Sequence, residues 1–269
     1  MSLQAHYAKI REGIFAFVPK YASPHQKEQL PPVLGTGFFI RKDGIAVTNA
    51  HIIETFAHVF RPEGLPDKDW AIQGLFFVRD NTEMLALRVD LKAVIRMGSF
   101  ILKPPGSQTT PDIGLVQMAV SDCPVMHISE KSHLEEGMEI ATAGFPMGNR
   151  SLESPAGLQM GPTLQKGIIS AILPFPNPSP EAFSVNVMSL GGASGSPVFD
   201  PGTGSTLGVL FSSLHDVGLV DQGTATYAMP TSITYAVPHH YLIKAIAMVP
   251  DNLPKMPSLK QRIREHKSL

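Results

Sequence analysis

The stretch VLGTGFFIRKDGIAVTNAH, residues 33–51, predicts the class of fold. Two short apolar runs, residues 33–40 and 44–49, flank the polar triplet at 41–43, which is the pattern of a β-hairpin. The second run leads to His51, where a helical segment, IIETFA, begins. A histidine at a strand-to-helix junction lies at the edge of both elements, where its imidazole serves either as a structural group or as a base near neutral pH.

The pattern of short strands separated by turns continues through the chain, and its 23 glycines and 24 prolines fit frequent turns. Apolar runs that indicate strands cover 71–78, 84–96, 113–120, 138–145, 157–160, 164–173, 183–188, 196–200, 206–213 and 224–230. Only 239–249 has apolar residues at helical spacing. Because helices do not alternate with strands, a parallel α/β sheet is excluded, and about six short strands per half predict an all-β fold of two packed barrels.

This layout predicts four regions. We expect an N-terminal extension over 1–32, a first β-barrel over 33–125, a second barrel with the terminal helix over 126–250, and a basic tail over 251–269. The apolar patch at 14–18 is expected to be a helix or arm packed on the body. The tail is expected to be solvated or frayed, with a nucleic-acid or lipid contact as the alternative.

Composition limits the possible partners and compartment. With 269 residues, 43% of them hydrophobic, the chain can bury a sizeable core. Only 17% of residues are charged and the formal net charge is −1, so nothing in the balance indicates nucleic acid or an acidic membrane as a partner. The single cysteine, Cys123, allows no intrachain disulfide. It favours a reducing, cytoplasmic location, or a periplasmic or secreted one if a leader has been removed.

The sequence offers no metal or cofactor motif. Its ten histidines are scattered, and the pair His239-His240 has no cysteine or carboxylate at ligand spacing. No Gly-rich phosphate-binding loop is present, and residues 202–204 are better interpreted as a hairpin turn. We therefore expect neither a metal nor a cofactor.

The hexapeptide GASGSP, residues 192–197, places Ser194 on a tight turn of small residues. By itself such a sequence is typical of a simple turn. With a histidine base and a carboxylate elsewhere, however, a serine held in this way can attack a carbonyl group. Asp112, which precedes the apolar run 113–120, is a strand-end residue or, if buried, a carboxylate that needs a donor such as an imidazole N–H.

Taken together, the motifs occur in the order of one enzyme family. They are GTGFFIRKDGIAVTNAH (35–51), DIGLVQM (112–118), GFPMGN (144–149), KGIISAI (166–172), GASGSP (192–197) and YAVPHHYLIKAI (235–246). On these strings the chain resembles the trypsin/chymotrypsin-like serine peptidases, and within them the HtrA (Do-like) branch. The resemblance covers residues 33–247.

The resemblance implies two six-stranded antiparallel β-barrels with an active site between them. It implies that His51 is the base, Asp112 the carboxylate that orients it, and Ser194 the nucleophile. The backbone N–H groups of Gly192 and Ser194 would form the oxyanion hole. The implied activity is that of a serine endopeptidase acting on polypeptides, unfolded proteins among them. The resemblance implies no nucleic acid or membrane partner, and it does not predict the oligomeric state.

The resemblance also locates the substrate pocket. The family's pocket floor lies six residues before the nucleophile, at Met188 with Ser189 beside it, and one wall is expected at Phe211, Ser212 and Ser213. Without an acidic residue there, the pocket is expected to accept a small or medium aliphatic side chain.

Three features depart from the family pattern. Ser196 replaces a glycine that most members have, and long loops at 61–70 and 103–108 separate His51 from Asp112. The residues after the terminal helix are too few for the peptide-binding PDZ domain usual in the branch.

Two other protein classes could contain a serine, a histidine and an aspartate of this kind. An α/β-hydrolase needs Gly-x-Ser-x-Gly and the order Ser, acid, His, and the chain has neither. A catalytically silent peptidase fold that binds peptides remains the alternative, because the presence of the three residues does not prove their alignment.

Overall fold

Two closed barrels of six antiparallel strands form the body of the protein, and they confirm the predicted all-β, chymotrypsin-like fold. The computed structural model describes residues 2–24, 30–66, 69–98, 111–130, 133–154, 157–220 and 225–268. The expected loop at 103–108 lies outside these residues, as do two residues of the expected loop at 61–70.

The first barrel closes in the order β1-β2-β3-β6-β5-β4. Its strands are β1 (Ile14–Pro19), β2 (Gly35–Phe39), β3 (Ile45–Thr48), β4 (Ile72–Asp80), β5 (Glu83–Gly98) and β6 (Ile113–Met118). The hairpin predicted from residues 33–51 is the β2–β3 pair, in which Phe38 lies opposite Val47. Both strands are buried along their length, because one face packs in the core of the first barrel and the other packs against the second barrel.

The second barrel closes in the order β10-β11-β14-β13-β12-β7. Its strands are β7 (Glu139–Gly144), β10 (Thr163–Leu173), β11 (Ala182–Val185), β12 (Pro197–Phe199), β13 (Thr206–Val220) and β14 (Ala225–Pro238), and a separate two-stranded sheet joins β8 (Glu153–Ser154) to β9 (Gly157–Leu158). The β13–β14 hairpin continues to the pair formed by Val220 and Ala225, well beyond the strand expected at 206–213.

The strand β1 comes from the segment that was expected to be an N-terminal extension. It pairs with β2 on one side and β4 on the other, so the first barrel begins at Ile14 and not at Val33. Every residue from Ile14 to Val18 is completely buried. The run therefore lacks the alternation of apolar and polar residues that identifies a half-buried strand, and its sequence does not distinguish it from a buried helix.

The described residues also form four helices, namely α1 (Leu3–Ile10), α2 (Ala50–Thr55), α3 (His239–Ile246) and α4 (Leu259–Lys267), with 3₁₀ turns at Arg11–Gly13, Phe56–His58 and Gly148–Ser151. The helix predicted over 239–249 is α3. None of the helices in the described ranges is both long enough and apolar enough to span a membrane.

The basic tail is ordered, which differs from the expected frayed terminus. Ser258 caps α4, and Leu259 is buried in the core of the first barrel. Arg262 donates from Nε and Nη2 to the Ala119 carbonyl at 3.0 and 2.8 Å. Lys267 pairs with Asp80 on β4. The helix is therefore docked on the first barrel by an apolar contact and by its basic side chains.

An apolar cluster joins the two barrels. Phe38 and Leu115 of the first barrel and Phe199 and Val209 of the second are completely buried in this one cluster. Burying such apolar surface holds the barrels against each other, so the loops at their junction are presented on a packed support.

Candidate active site

His51 and Asp112 meet at the edge of the first barrel. His51 lies in the first turn of α2, directly after β3, and Asp112 directly precedes β6, which pairs with β3. His51 Nδ1 is 2.5 Å from Asp112 Oδ2, and the backbone N–H of His51 donates to Oδ1 at 3.0 Å. Because an ionised carboxylate only accepts hydrogen bonds, this contact places the imidazole proton on Nδ1 and leaves Nε2 as an acceptor.

Asp112 is buried, and its backbone is held by a buried neighbour. The Asp112 side chain is 5% exposed, whereas that of His51 is 40% exposed. Asn49, completely buried, donates from Nδ2 to the backbone carbonyl of Asp112 at 2.8 Å. The buried acid is thus fixed, and the ring that it contacts reaches solvent. This arrangement suits an imidazole that exchanges protons with a bound molecule.

The loop between β11 and β12 carries Ser194 on a turn that requires glycine. Gly192 and Gly195 have φ values of +97° and +87°, a region that other residues rarely adopt. A Cβ atom at Gly192 would lie 2.4 Å from the Phe145 carbonyl oxygen, and one at Gly195 would lie 2.0 Å from the Thr36 carbonyl oxygen. The glycines therefore allow the loop to approach neighbouring backbone on both sides of Ser194.

Among residues 192–196, two backbone N–H groups donate no hydrogen bond within the described part of the chain. Ala193 donates to the Leu190 carbonyl at 3.0 Å, Gly195 to Leu210 at 2.9 Å, and Ser196 to Ala193 at 3.0 Å. Within the described residues, the N–H groups of Gly192 and Ser194 donate to none. These are the two donors that the sequence predicts for an oxyanion hole.

Ser194 and Ser196 differ in exposure. Ser194 is half-buried, whereas Ser196 is 1% exposed and its hydroxyl has no hydrogen-bond partner among the described residues. Of the two, Ser194 is therefore the serine that a molecule in solvent can reach. Its Oγ forms no hydrogen bond with His51 in the described structure, so the hydrogen bond among the three predicted residues is the one between His51 and Asp112.

Contacts between the barrels bring the serine loop to the histidine. The backbone N–H of Thr36 on β2 donates to the Ser194 carbonyl at 2.8 Å. The carbonyl of Thr36 accepts from Thr48 Oγ1 at 2.8 Å, and Thr48 is the last residue of β3, three positions before His51. The loop of the second barrel is thus docked on the strands that lead to His51.

The predicted pocket residues lie on two segments connected by Thr234. On β14, Thr234 pairs with Ser213 and donates from Oγ1 to the Val187 carbonyl at 2.8 Å, next to Met188. The Met188 side chain is 51% exposed, and Ser189 is 5% exposed. Phe211 and Ser212 follow Leu210, whose carbonyl accepts the Gly195 N–H. Their assignment to a substrate pocket stays a prediction.

Some residues that shape the site were not identified from the sequence. Thr36 and Asn49 belong to the stretch that predicted the hairpin, and each is a polar residue that is completely buried. A polar side chain within a buried strand must find a partner, so their positions carried a signal. For Thr234 no sequence signal was available.

Other features of the molecule lie apart from this site. A cavity of about 530 Å³ is lined by Leu75, Phe77 and Leu152, and it includes none of His51, Asp112 and Ser194. Within the described ranges, no three His, Cys, Asp or Glu side chains are grouped so that they could hold a metal ion.

The family model of the trypsin-like peptidase domain matches residues 35–209, which is more than half of the chain. No curated relative matches the chain in sequence.

Several solved structures share the fold. A variant of the HtrA-type protease AlgW with a tripeptide superposes with a TM-score of 0.57 at 13% identity, covering 94% of this chain and 64% of that one. AlgW with a decapeptide gives 0.54 at 15% identity, covering 92% and 67%. The serine endoprotease from Yersinia pestis gives 0.53 at 16% identity, covering 92% and 66%. The chain therefore spans about two thirds of the length of these proteins, and at such identities the likeness concerns the fold.

Proposed function

Because the chain belongs to the trypsin-like peptidase family, we propose that it is a serine endopeptidase that cleaves polypeptides through an acyl-enzyme on Ser194. The observation that carries the proposal is the 2.5 Å contact between His51 Nδ1 and Asp112 Oδ2, and it is supported by the glycine turn that carries Ser194.

In the proposed reaction, Nε2 of His51 accepts the proton of the Ser194 hydroxyl as Oγ attacks the peptide carbonyl carbon. The imidazolium that forms carries a positive charge beside the buried carboxylate of Asp112, which stabilises it without taking the proton. His51 then donates the proton to the leaving amine. In the second half of the reaction it removes a proton from the water that attacks the acyl carbon, and it returns this proton to Ser194 Oγ as the acyl–oxygen bond breaks.

The developing oxyanion would be bound by the N–H groups of Gly192 and Ser194. Both lack a partner among the described residues, and the loop that carries them is tied down by neighbouring hydrogen bonds. Donors held in place in this way stabilise a transition-state charge without reorganising, and each is worth about 10²–10³ in kcat.

A polypeptide substrate is supported by the similar structures, two of which hold a tripeptide and a decapeptide. For the cleaved position we propose a small or medium apolar side chain, because Met188 and Ser189 bring no negative charge to the expected pocket floor. A peptide-library profile dominated by Arg or Lys at that position would contradict this preference.

The alternative is a silent peptidase fold that binds peptides. The observation that favours it is the missing hydrogen bond between Ser194 Oγ and His51, although such bonds are often long before substrate binds.

A fluorophosphonate probe, which reacts only with an activated serine, separates the two. We expect the wild-type protein to be labelled, and labelling to be lost in Ser194→Ala and His51→Ala. The matched controls are Ser196→Ala, which removes a buried neighbouring hydroxyl, and His58→Ala, which removes an exposed imidazole from the turn after α2. Both should be labelled like the wild type.

Absence of labelling in the wild-type protein, with the fold intact by circular dichroism, would favour the silent fold. Persistent labelling of Ser194→Ala would show that another residue is the nucleophile.

A further inference from the structure

We infer that Thr36 is a positioning residue that holds the oxyanion-hole loop from the opposite barrel. This inference rests on the proposed function, since it assigns Thr36 a role in the geometry of the Gly192 and Ser194 donors. Thr36 lies on β2 of the first barrel and is completely buried, whereas the loop belongs to the second barrel.

Thr36 contacts the loop at two carbonyl groups. Its Oγ1 donates to the Gly192 carbonyl at 2.8 Å, and its backbone N–H donates to the Ser194 carbonyl at 2.8 Å. These carbonyls belong to the peptide units on either side of the Ala193–Ser194 peptide, which carries the Ser194 N–H. Thr36 therefore binds the peptide units on both sides of the Ala193–Ser194 peptide, whose orientation sets the direction of the Ser194 N–H.

The hydroxyl has a second contact that fixes its direction. Thr36 Oγ1 accepts the backbone N–H of Phe145 at 3.2 Å while it donates to Gly192. Because a hydroxyl has a single proton, accepting from Phe145 leaves that proton for the Gly192 carbonyl. The Phe145 carbonyl also lies against Gly192, where a Cβ atom would approach it to 2.4 Å. The loop is thus held between Thr36 and the segment after β7.

The remaining hydrogen bonds show what Thr36 adds. The peptide unit between Gly192 and Ala193 is bound at its N–H by Leu190, within the same turn, and at its carbonyl by Thr36. Without the hydroxyl, this unit keeps only the short-range bond, and rotation about the Gly192 ψ angle meets less resistance because glycine has no side chain. Such a rotation would redirect the N–H groups on either side.

The test compares Thr36→Val, which keeps the shape and loses the hydroxyl, with Thr36→Ser, which keeps the hydroxyl. The matched control is Thr206→Val, because Thr206 is also completely buried but its hydroxyl has no partner among the described residues. For cleavage of fluorescently labelled casein, we expect Thr36→Val to lower kcat about 10- to 100-fold, less than deletion of a donor. KM should change little, and Thr36→Ser and Thr206→Val should stay near the wild type.

A second measurement does not depend on activity. Amide hydrogen exchange followed by mass spectrometry should show faster exchange across residues 190–198 in Thr36→Val, and wild-type rates in Thr36→Ser and Thr206→Val. Unchanged exchange in this segment for Thr36→Val would overturn the inference, whatever the activity. Equal losses of kcat in Thr36→Val and Thr206→Val would also overturn it, because the effect would then be general to buried threonines. A wild-type protein that neither cleaves casein nor reacts with fluorophosphonate would instead overturn the proposed function, and the exchange data would still decide the role of Thr36.

Discussion

Replacing Asp112 with asparagine should disable the site while preserving its shape. Asp112 Oδ1 accepts the backbone N–H of His51 at 3.0 Å, and Oδ2 contacts Nδ1 at 2.5 Å. An asparagine has one acceptor oxygen, and if it keeps the backbone N–H, its NH₂ group faces Nδ1. The ring must then accept at Nδ1 and carry its proton on Nε2, so Nε2 can no longer accept the proton of Ser194.

The expected loss can be worked out from the environment of the pair. The carboxylate is 5% exposed and the imidazole 40%, so the pair is neither fully solvated nor fully buried. At an effective dielectric constant of about 20, unit charges about 4 Å apart attract by about 4 kcal/mol. Losing this stabilisation of the imidazolium lowers the rate by about 10³-fold. The unfavourable tautomer of His51 lowers the rate further. The change from carboxylate to amide in a Ser-His-Asp triad lowers kcat by about 10⁴-fold in all.

The assay is kcat/KM for labelled casein together with the rate of fluorophosphonate labelling, with the thermal unfolding temperature measured for each variant. The matched control is Asp90→Asn, because Asp90 accepts from Lys20 Nζ and Gln73 Nε2, both at 2.8 Å, away from the site. Its rates should equal those of the wild type. If Asp112→Asn keeps its unfolding temperature and cleaves within tenfold of the wild-type rate, the assignment of His51 as the base oriented by Asp112 fails.

Two further predictions concern stability. Gly195→Ala should lower the free energy of unfolding by about 1–3 kcal/mol or more, since φ is +87° and the new Cβ would lie 2.0 Å from the Thr36 carbonyl oxygen, whereas Gly191→Ala, with open space around it, should change it by less than about 0.5 kcal/mol. Equal unfolding midpoints in urea would contradict this. Burial, and then the charges of His239 and Lys244, lower the pKa of His240 from 6.5 to about 4. Between these pH values the unfolded chain binds a proton that the folded protein does not, so this contribution to stability is complete above about pH 6.5 and is lost as the pH falls towards 4. Unfolding temperatures of His240→Gln between pH 4 and 7 should depend less on pH than those of the wild type, and an unchanged dependence would disprove the assignment.

Much of the fold could be read from local sequence. The β2–β3 hairpin, the strand β5, the strand β6 directly after Asp112, and helix α3 all lie where the pattern of apolar runs and turns predicts them. These elements have signals that depend on near neighbours, such as a polar triplet between apolar runs or apolar residues at helical spacing. The number and spacing of the strands predicted two packed barrels, the family resemblance implied six antiparallel strands in each, and the structure confirms both.

The sequence does not predict the strand β1 or the helix α4, because the residues that each contacts are distant in sequence. The strand β1 is buried by β2 and β4 and shows no alternation of its own, while α4 is stabilised by a carbonyl at Ala119 and a carboxylate at Asp80. Helices this short are marginal on their own, so docking is what stabilises α4. No local pattern reports such a contact.

The candidate site, too, could be predicted only in part from the sequence. The order of the sequence motifs, and the family resemblance that they carry, pointed to His51, Asp112 and Ser194, although each residue taken singly also fits a purely structural role. Folding decided the rest: the 2.5 Å contact across 61 positions of sequence, the Gly192 and Ser194 N–H groups that donate to no described residue, and the two hydrogen bonds that Thr36 donates from the other barrel. A hydrogen bond forms only when donor and acceptor are placed to within a few tenths of an ångström, and barrel closure and packing bring these distant segments together. The residues that determine this placement are distributed over the whole chain.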